Sequence, residues 1–244
     1  MQAHSDQKTT DYFDNNTPEY SIERYLPFLD SIKKLSTENA SIADIGCGTG
    51  NILALISHKT GINNLTGIDI SDNYLQQAKE NTGCTTFNAS ILDQNFSEIV
   101  TQRFDFVVVG AVLHHLIDSS RDKSRQLAIN ALKNAMAILK PGGHLILLEP
   151  IFSPKISMDL VFYVKKFVSK FTSGRIGLFG YWNNIGEPVV SYYDRKQLFS
   201  FMAHIPDSKL VYEHYSPHEI ALIMRFSGIY KKGDITLLFK KPEA

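Results

Sequence analysis

The sequence predicts an α/β protein built on a parallel sheet with helices on both faces. Three observations carry this. Apolar runs of strand length alternate with segments of helical period from Ser41 to about Glu149. A glycine cluster, Gly46-Cys47-Gly48-Thr49-Gly50, lies where the first such run hands over to the first such helix. Phe104–Gly110 is nearly all apolar, as a strand covered on both faces must be.

Each element has its own signal. Residues 1–40 read as an N-terminal helical arm or cap. Its first twenty residues are polar, and an amphipathic helix opens at Ser21 with Ile22, Tyr25, Leu26, Leu29 and Ile32 at helical spacing. Pro27 is expected to kink or break that helix. Residues 41–150 form the core. Strands are predicted at Ser41–Ile45, Leu65–Ile70, Cys84–Asn88, Phe104–Gly110 and His144–Glu149. Helices are predicted at Asn51–His58, at Asp72–Asn81 with Ser71 as cap, and at Ser124–Leu139, stopped by Lys140-Pro141-Gly142-Gly143.

After Pro150 the rhythm pauses. Residues 151–193 read as a lid inserted into the core. Its helix, about 155–171, would carry Leu160, Val161, Val164, Phe167, Val168 and Phe171 on one side, with Lys155, Lys165, Lys166 and Lys170 on the other. Residues 194–244 return to the core with a helix Asp194–Ala203 and a strand Leu210–Tyr215. Ser216-Pro217-His218-Glu219 has capping-box spacing for a helix to about Phe226, and a last strand spans Ile235–Lys240.

Composition excludes several classes of function. Among 244 residues, 25 Lys and Arg balance 25 Asp and Glu, so bulk charge offers no reason to expect nucleic acid as partner. Cys47 and Cys84 alone cannot build a disulfide framework, and that count suits a reducing cytoplasm. The polar opening residues are unlike a signal peptide. The longest apolar run, Phe106–Leu113, is too short to span a bilayer. A cytoplasmic protein is expected.

The glycine loop indicates the ligand. Glycine turns sharply and lets a ligand approach the backbone, and the helix that follows offers free N–H groups. Asp69 ends the second strand twenty-three residues after Gly46, where a carboxylate can accept the hydroxyls of a ribose. The dinucleotide pattern has its third glycine one residue later than here, and Asp44 would repel a pyrophosphate. A carboxylate suits a ligand with an ammonium group, which favours S-adenosylmethionine over NAD on charge alone.

The segments 43–50 (ADIGCGTG), 66–71 (TGIDIS), 87–93 (FNASILD), 104–116 (FDFVVVGAVLHHL) and 139–150 (LKPGGHLILLEP) resemble those of class I S-adenosylmethionine-dependent methyltransferases in order and spacing. The resemblance implies a Rossmann-like, doubly wound sheet of seven strands, mostly parallel with an antiparallel last strand. It implies S-adenosyl-L-methionine as cofactor and S-adenosyl-L-homocysteine as product. It maps the glycine loop onto Gly46, Cys47, Gly48 and Gly50, with Asp44 near the methionine ammonium, Asp69 on the ribose and Ile70 beside the adenine. The acidic residue that the family often has after its third strand falls on Ser90, followed by Ile91, with Asp93 three residues on; Ser90 is preferred. The stretch that passes the methyl group maps onto Gly110 to Leu116.

His114 and His115 are the candidate general bases, with His115 favoured, although many methyl transfers need only alignment. Tyr12, Phe13, Tyr20, Phe179, Tyr181, Trp182, Tyr192 and Tyr193 are suitable pocket aromatics, although for each one singly plain packing is the preferred reading. His214 and His218 are four apart, but Pro217 between them spoils a shared face, so no metal is expected. The segment 151–193 carries net +3, so its helix either covers the substrate or lies on an anionic membrane; the lid is preferred. The expected activity is methyl transfer to an O, N or C nucleophile of a small apolar or aromatic acceptor. An NAD-type oxidoreductase, an RNA or protein methyltransferase and a cofactor-binding protein without turnover are the alternatives. The oligomeric state stays open.

Overall fold

A computed structural model describes residues 24–37, 39–168, 176–177, 184–185, 189–206, 208–220, 222–226 and 228–243. The expected arm 1–20, the first three residues of the helix expected from Ser21 and most of the stretch 169–188 lie outside these residues, as do the candidate aromatics Tyr12, Phe13, Tyr20, Phe179, Tyr181 and Trp182.

Seven strands form one sheet: β1 (Ser41–Ile45), β2 (Asn64–Asp69), β3 (Thr85–Asn88), β4 (Phe104–Gly110), β5 (Leu139–Ser153), β6 (Lys209–Pro217) and β7 (Lys231–Lys240). Their order is β3-β2-β1-β4-β5-β7-β6. All neighbours run parallel except β7, which is antiparallel to β5 and β6. The order reverses between β1 and β4, and in open sheets of this kind ligands bind at the carboxyl ends of the strands there.

Alternation along each strand divides the core. Val107, Val109, Leu145 and Leu147 point to one face, against α5 (Arg121–Ala137) and α7 (Arg195–Met202). Phe106, Val108, Ile146 and Leu148 point to the other, against α1 (Leu26–Leu35) and α2 (Asn51–Thr60). The remaining helices are α3 (Asp72–Thr82), α4 (Phe96–Ile99), α6 (Lys155–Val168) and α8 (Leu222–Phe226).

Several boundaries differ from expectation, each for a physical reason. Pro27 starts α1 instead of breaking it, since the first turn needs no N–H from proline. Ser120 caps α5 by accepting from the amide of Lys123, so that helix begins before Ser124. Leu139 belongs to β5, which absorbs the Pro-Gly-Gly run through a shift of register against β4. The capping box lies at Asp194 and Gln197, at the start of α7. Ser216 and Pro217 stay in β6, held by Asp234 and Gly233 of a longer β7, so the helix after them is only the short α8.

The largest difference concerns α6, which is apolar on two sides. Met158 and Phe162 are buried and Val161 packs beside Met224 of α8. Leu160, Val164 and Phe167, expected to face inward, are exposed at 65 %, 52 % and 64 %. Helical spacing cannot tell which of two apolar stripes meets the core.

Candidate active site

The loop after β1 is built from three left-handed glycines, with φ of +74° at Gly46, +50° at Gly48 and +84° at Gly50. A Cβ on Gly46 would come within 2.6 Å of Val112 Cγ2, so this loop and the one after β4 touch. A Cβ on Gly48 would meet nothing within 4 Å. There the backbone borders open space, which is what a ligand-facing glycine requires.

Asp69 sits at the end of β2 and organises this loop. Its carboxylate accepts from the amides of Gly48 at 2.9 Å and Ser71 at 3.0 Å. Ser71 in turn caps α3 by accepting from Tyr74. Asp44, one strand across on β1, is fully buried, and neither carboxylate oxygen has a hydrogen-bond partner among the described residues. Burial, with the charge of Asp69 added, holds its pKa well above the usual carboxylate range. A buried acceptor pair left unsatisfied is costly, and a ligand that brings N–H donors and positive charge removes the cost.

Other predicted residues take different places. The Ser90 hydroxyl accepts from the amide of Leu92, and Asp93 turns back to accept from the amide of Ser90, so the two form a local turn beyond β3. Ile91 is buried in the core, which leaves its backbone rather than its side chain for a ligand. Cys47 is also a core residue; a Cβ on Gly67 would lie 2.8 Å from its sulfur, and burial pushes its thiol up out of the reactive range. Ile70 is half-buried beside Asp69, and Gly110 closes β4 against Ile52.

Beyond Gly110, Ala111 holds a left-handed backbone at φ 59°, strained for a residue with a Cβ. A short 3-10 turn, Leu113–His115, follows. Glu149 of β5, which the sequence reading passed over, anchors this turn. One oxygen accepts from the amide of Leu113 at 2.7 Å and the other lies 2.8 Å from His114 Nδ1. Burial raises the Glu149 carboxyl to about 7, and burial with the charge of Arg24 lowers His114 to about 3. His115 is held below its usual range by burial and by His114. The His114 ring stacks on Tyr192, with centroids 5.3 Å apart, and lies 4.0 Å from the His115 ring.

Tyr192 thus packs between His114 and Phe152, whereas Tyr193 is a core residue whose hydroxyl accepts from Ser191 and donates to the Ser124 carbonyl. Arg121, another residue missed by sequence, is buried although charged. Its guanidinium meets Asp159 of α6 at 2.8 Å, the Tyr192 carbonyl at 2.6 Å and the Ser191 hydroxyl, tying α6 and the Tyr192 segment to α5. His214 bonds Ser216, and His218 meets Asp234 at 3.2 Å. Among the described residues no three His, Cys, Asp or Glu side chains come together as metal ligands.

Residues 43–145 match a family described as "Methyltransferase domain". Over those residues, less than half of its length, the chain is similar to methyltransferase domains. Over 157 residues it is 25 % identical to a ubiquinone/menaquinone biosynthesis C-methyltransferase of Geotalea daltonii, covering 59 % of this chain and 63 % of that one. Over 98 residues it is 29 % identical to a ribosomal protein L11 methyltransferase of Clostridium botulinum, covering 40 % of this chain and 31 % of that one. The chain thus spans less than two thirds of these relatives, and the two act on unlike acceptors. In fold, the chain is similar to the N-methyltransferase NodS of Bradyrhizobium japonicum, solved with S-adenosyl-L-homocysteine. The TM-score is 0.59 at 16 % identity, over 97 % of this chain and all of that one.

Proposed function

We propose that this protein transfers a methyl group from S-adenosylmethionine to an O, N or C nucleophile of a small apolar or aromatic acceptor. The observation that carries the proposal is Asp44: a buried carboxylate without hydrogen-bond partners among the described residues, one strand from Asp69, beside a glycine with open space before it. A ligand with an ammonium group and a ribose matches both carboxylates. A pyrophosphate would be repelled by both, which disfavours an NAD-type oxidoreductase.

The residues present fit that cofactor. Asp44 would hold the ammonium, Asp69 the ribose hydroxyls and Gly48 the close approach of the backbone, with Ile70 and the Ser90–Ile91 turn beside the adenine. When bound, it supplies an electrophilic methyl group on a sulfonium. The chain aligns the acceptor, excludes water and receives the proton that the acceptor loses. His114 and His115, beyond β4, are the groups suited to receive it. Neutral His114 offers its Nε2 as acceptor when ionised Glu149 takes the Nδ1 hydrogen, as the 2.8 Å contact allows. The apolar and aromatic surroundings of Tyr192, stacked on His114 and 4.4 Å from the Phe152 ring, favour an apolar or aromatic acceptor.

Asp69→Ala is expected to weaken S-adenosylmethionine binding by about ten- to hundredfold, from the loss of charge-assisted hydrogen bonds. Isothermal titration checks this, and unchanged affinity in a folded variant would remove Asp69 from the site.

Glu149→Gln tests the proton acceptor. The Leu113 amide needs an oxygen, so the side-chain nitrogen that this substitution introduces must face His114 Nδ1. That forces the Nε2–H tautomer, which cannot accept a proton. Turnover is expected to fall about a hundredfold, the low end of what a positioned base supplies, with S-adenosylmethionine affinity within about twofold. An inflection of rate near pH 7, where Glu149 titrates, should vanish with it. Full turnover in the variant would leave alignment alone as the means of catalysis.

A further inference from the structure

The second apolar stripe of α6 has no role in the site described above. Ile156, Leu160, Tyr163, Val164 and Phe167 recur at spacings of three and four, and all are exposed, Ile156 at 77 %. They lie opposite the Met158–Phe162 face that packs on the core. Exposed side chains in one row form a patch, and such a patch marks an interaction surface.

Its borders are basic. Lys155 and Lys166 follow one flank of the helix. On the other flank Ser157 lies against Gly228, just past α8, which adds exposed Leu222, Arg225 and Phe226 and is followed by exposed Tyr230. The carboxylate on α6, Asp159, is already bound by Arg121, Arg125 and Lys155. A groove of about 530 Å³ runs along the stripe, lined by Ser119, Tyr163, Val164, Lys166 and Phe167. Its lining is apolar apart from Ser119 and Lys166, whose ammonium donates to the Asp118 carbonyl at 2.8 Å.

We propose that this stripe docks on a bilayer surface containing anionic lipid. Apolar side chains enter the acyl boundary, the groove takes part of a chain, and the bordering cations meet headgroup phosphates. A second copy of the chain fits the surface less well. A two-fold contact would set Lys155, Lys166 and Arg225 of the two copies against one another, offset only in part by Asp159 beside Lys155 and Asp118 near Lys166. The contact is interfacial, since among the described residues no helix is long and apolar enough to cross a membrane.

The test is co-sedimentation of the full chain with vesicles of phosphatidylcholine alone or mixed with phosphatidylglycerol. Wild type is expected to pellet with the mixed vesicles and far less with the neutral ones. L160Q with F167Q should lower binding by about tenfold or more, as the loss of two buried apolar side chains implies. K155Q with R225Q should lower it to a similar degree on mixed vesicles alone. Titration with S-adenosylmethionine and far-UV circular dichroism establish that each variant is folded. Wild type remaining in the supernatant over both vesicles, equal binding to the two, or binding that survives L160Q with F167Q would each overturn the proposal. A dimer seen by light scattering and dissolved by L160Q with F167Q would instead assign the stripe to a second copy.

Discussion

Gly48→Val is expected to abolish measurable S-adenosylmethionine binding while the fold survives. The protein around Gly48 has room, since a Cβ there meets nothing within 4 Å. The penalty for the fold is therefore one of backbone conformation. At φ +50° a residue with a Cβ costs about 1–2 kcal/mol, which a domain of this size withstands. The space that the new side chain fills is the space a ligand would need, and its branched carbons would hold the ligand away from the Gly48 backbone. Gly46→Val supplies the contrast. Its Cβ would press into Val112 Cγ2 at 2.6 Å, so that variant should lose stability as well as binding. Far-UV circular dichroism, thermal melting and calorimetric titration of both variants separate the cases. Normal binding by a folded Gly48→Val protein would mean that no ligand approaches this loop.

The parts of the site that were legible in the sequence are those whose chemistry depends on local pattern. Glycines at 46, 48 and 50 signal a left-handed turn, whatever surrounds them. A carboxylate ending a strand, as Asp69 does, is marked by the apolar residues before it. Glu149 and Arg121 were not legible because their roles arise from contacts 35 and 38 residues distant in sequence. Glu149 reads as the polar end of a strand, and its tie to His114 exists only because β4 and β5 pair. Arg121 falls before the helix expected from Ser124, and its burial rests on its contacts with Asp159, Ser191 and Tyr192. The faces of α6 failed for a related reason. With apolar residues at 156, 158, 160, 161, 162, 164 and 167, periodicity allows two stripes, and the choice rests on what Met158 and Phe162 pack against. The order of the strands was legible only through the resemblance, since spacing along the chain does not say which strands pair.

Asp44→Asn is expected to move the free protein and its complex in opposite directions. In the free protein Asp44 is buried, without hydrogen-bond partners among the described residues, and its pKa is raised by burial and by Asp69. The unfolded chain gives up this proton near the usual value of 3.8, the folded chain only at a higher pH. As pH rises through that interval the unfolded state is favoured, and above it the full penalty is present. Asn does not titrate, so near pH 7 the free variant should melt no lower than wild type. Binding should respond the other way. An ammonium set against ionised Asp44 forms a buried pair, and removal of one partner from such a pair costs about 3–5 kcal/mol, a loss of about a hundredfold or more in affinity. The pH dependence gives a second sign. Where Asp44 is still protonated, binding an ammonium must expel its proton, so wild-type affinity should climb as pH rises from 3.8 toward the raised pKa. The variant should show no such climb. Melting curves with and without S-adenosylmethionine, together with titrations across that range, read both signs. A variant that melts lower but binds as wild type does would make Asp44 a structural group and return the ammonium to another partner.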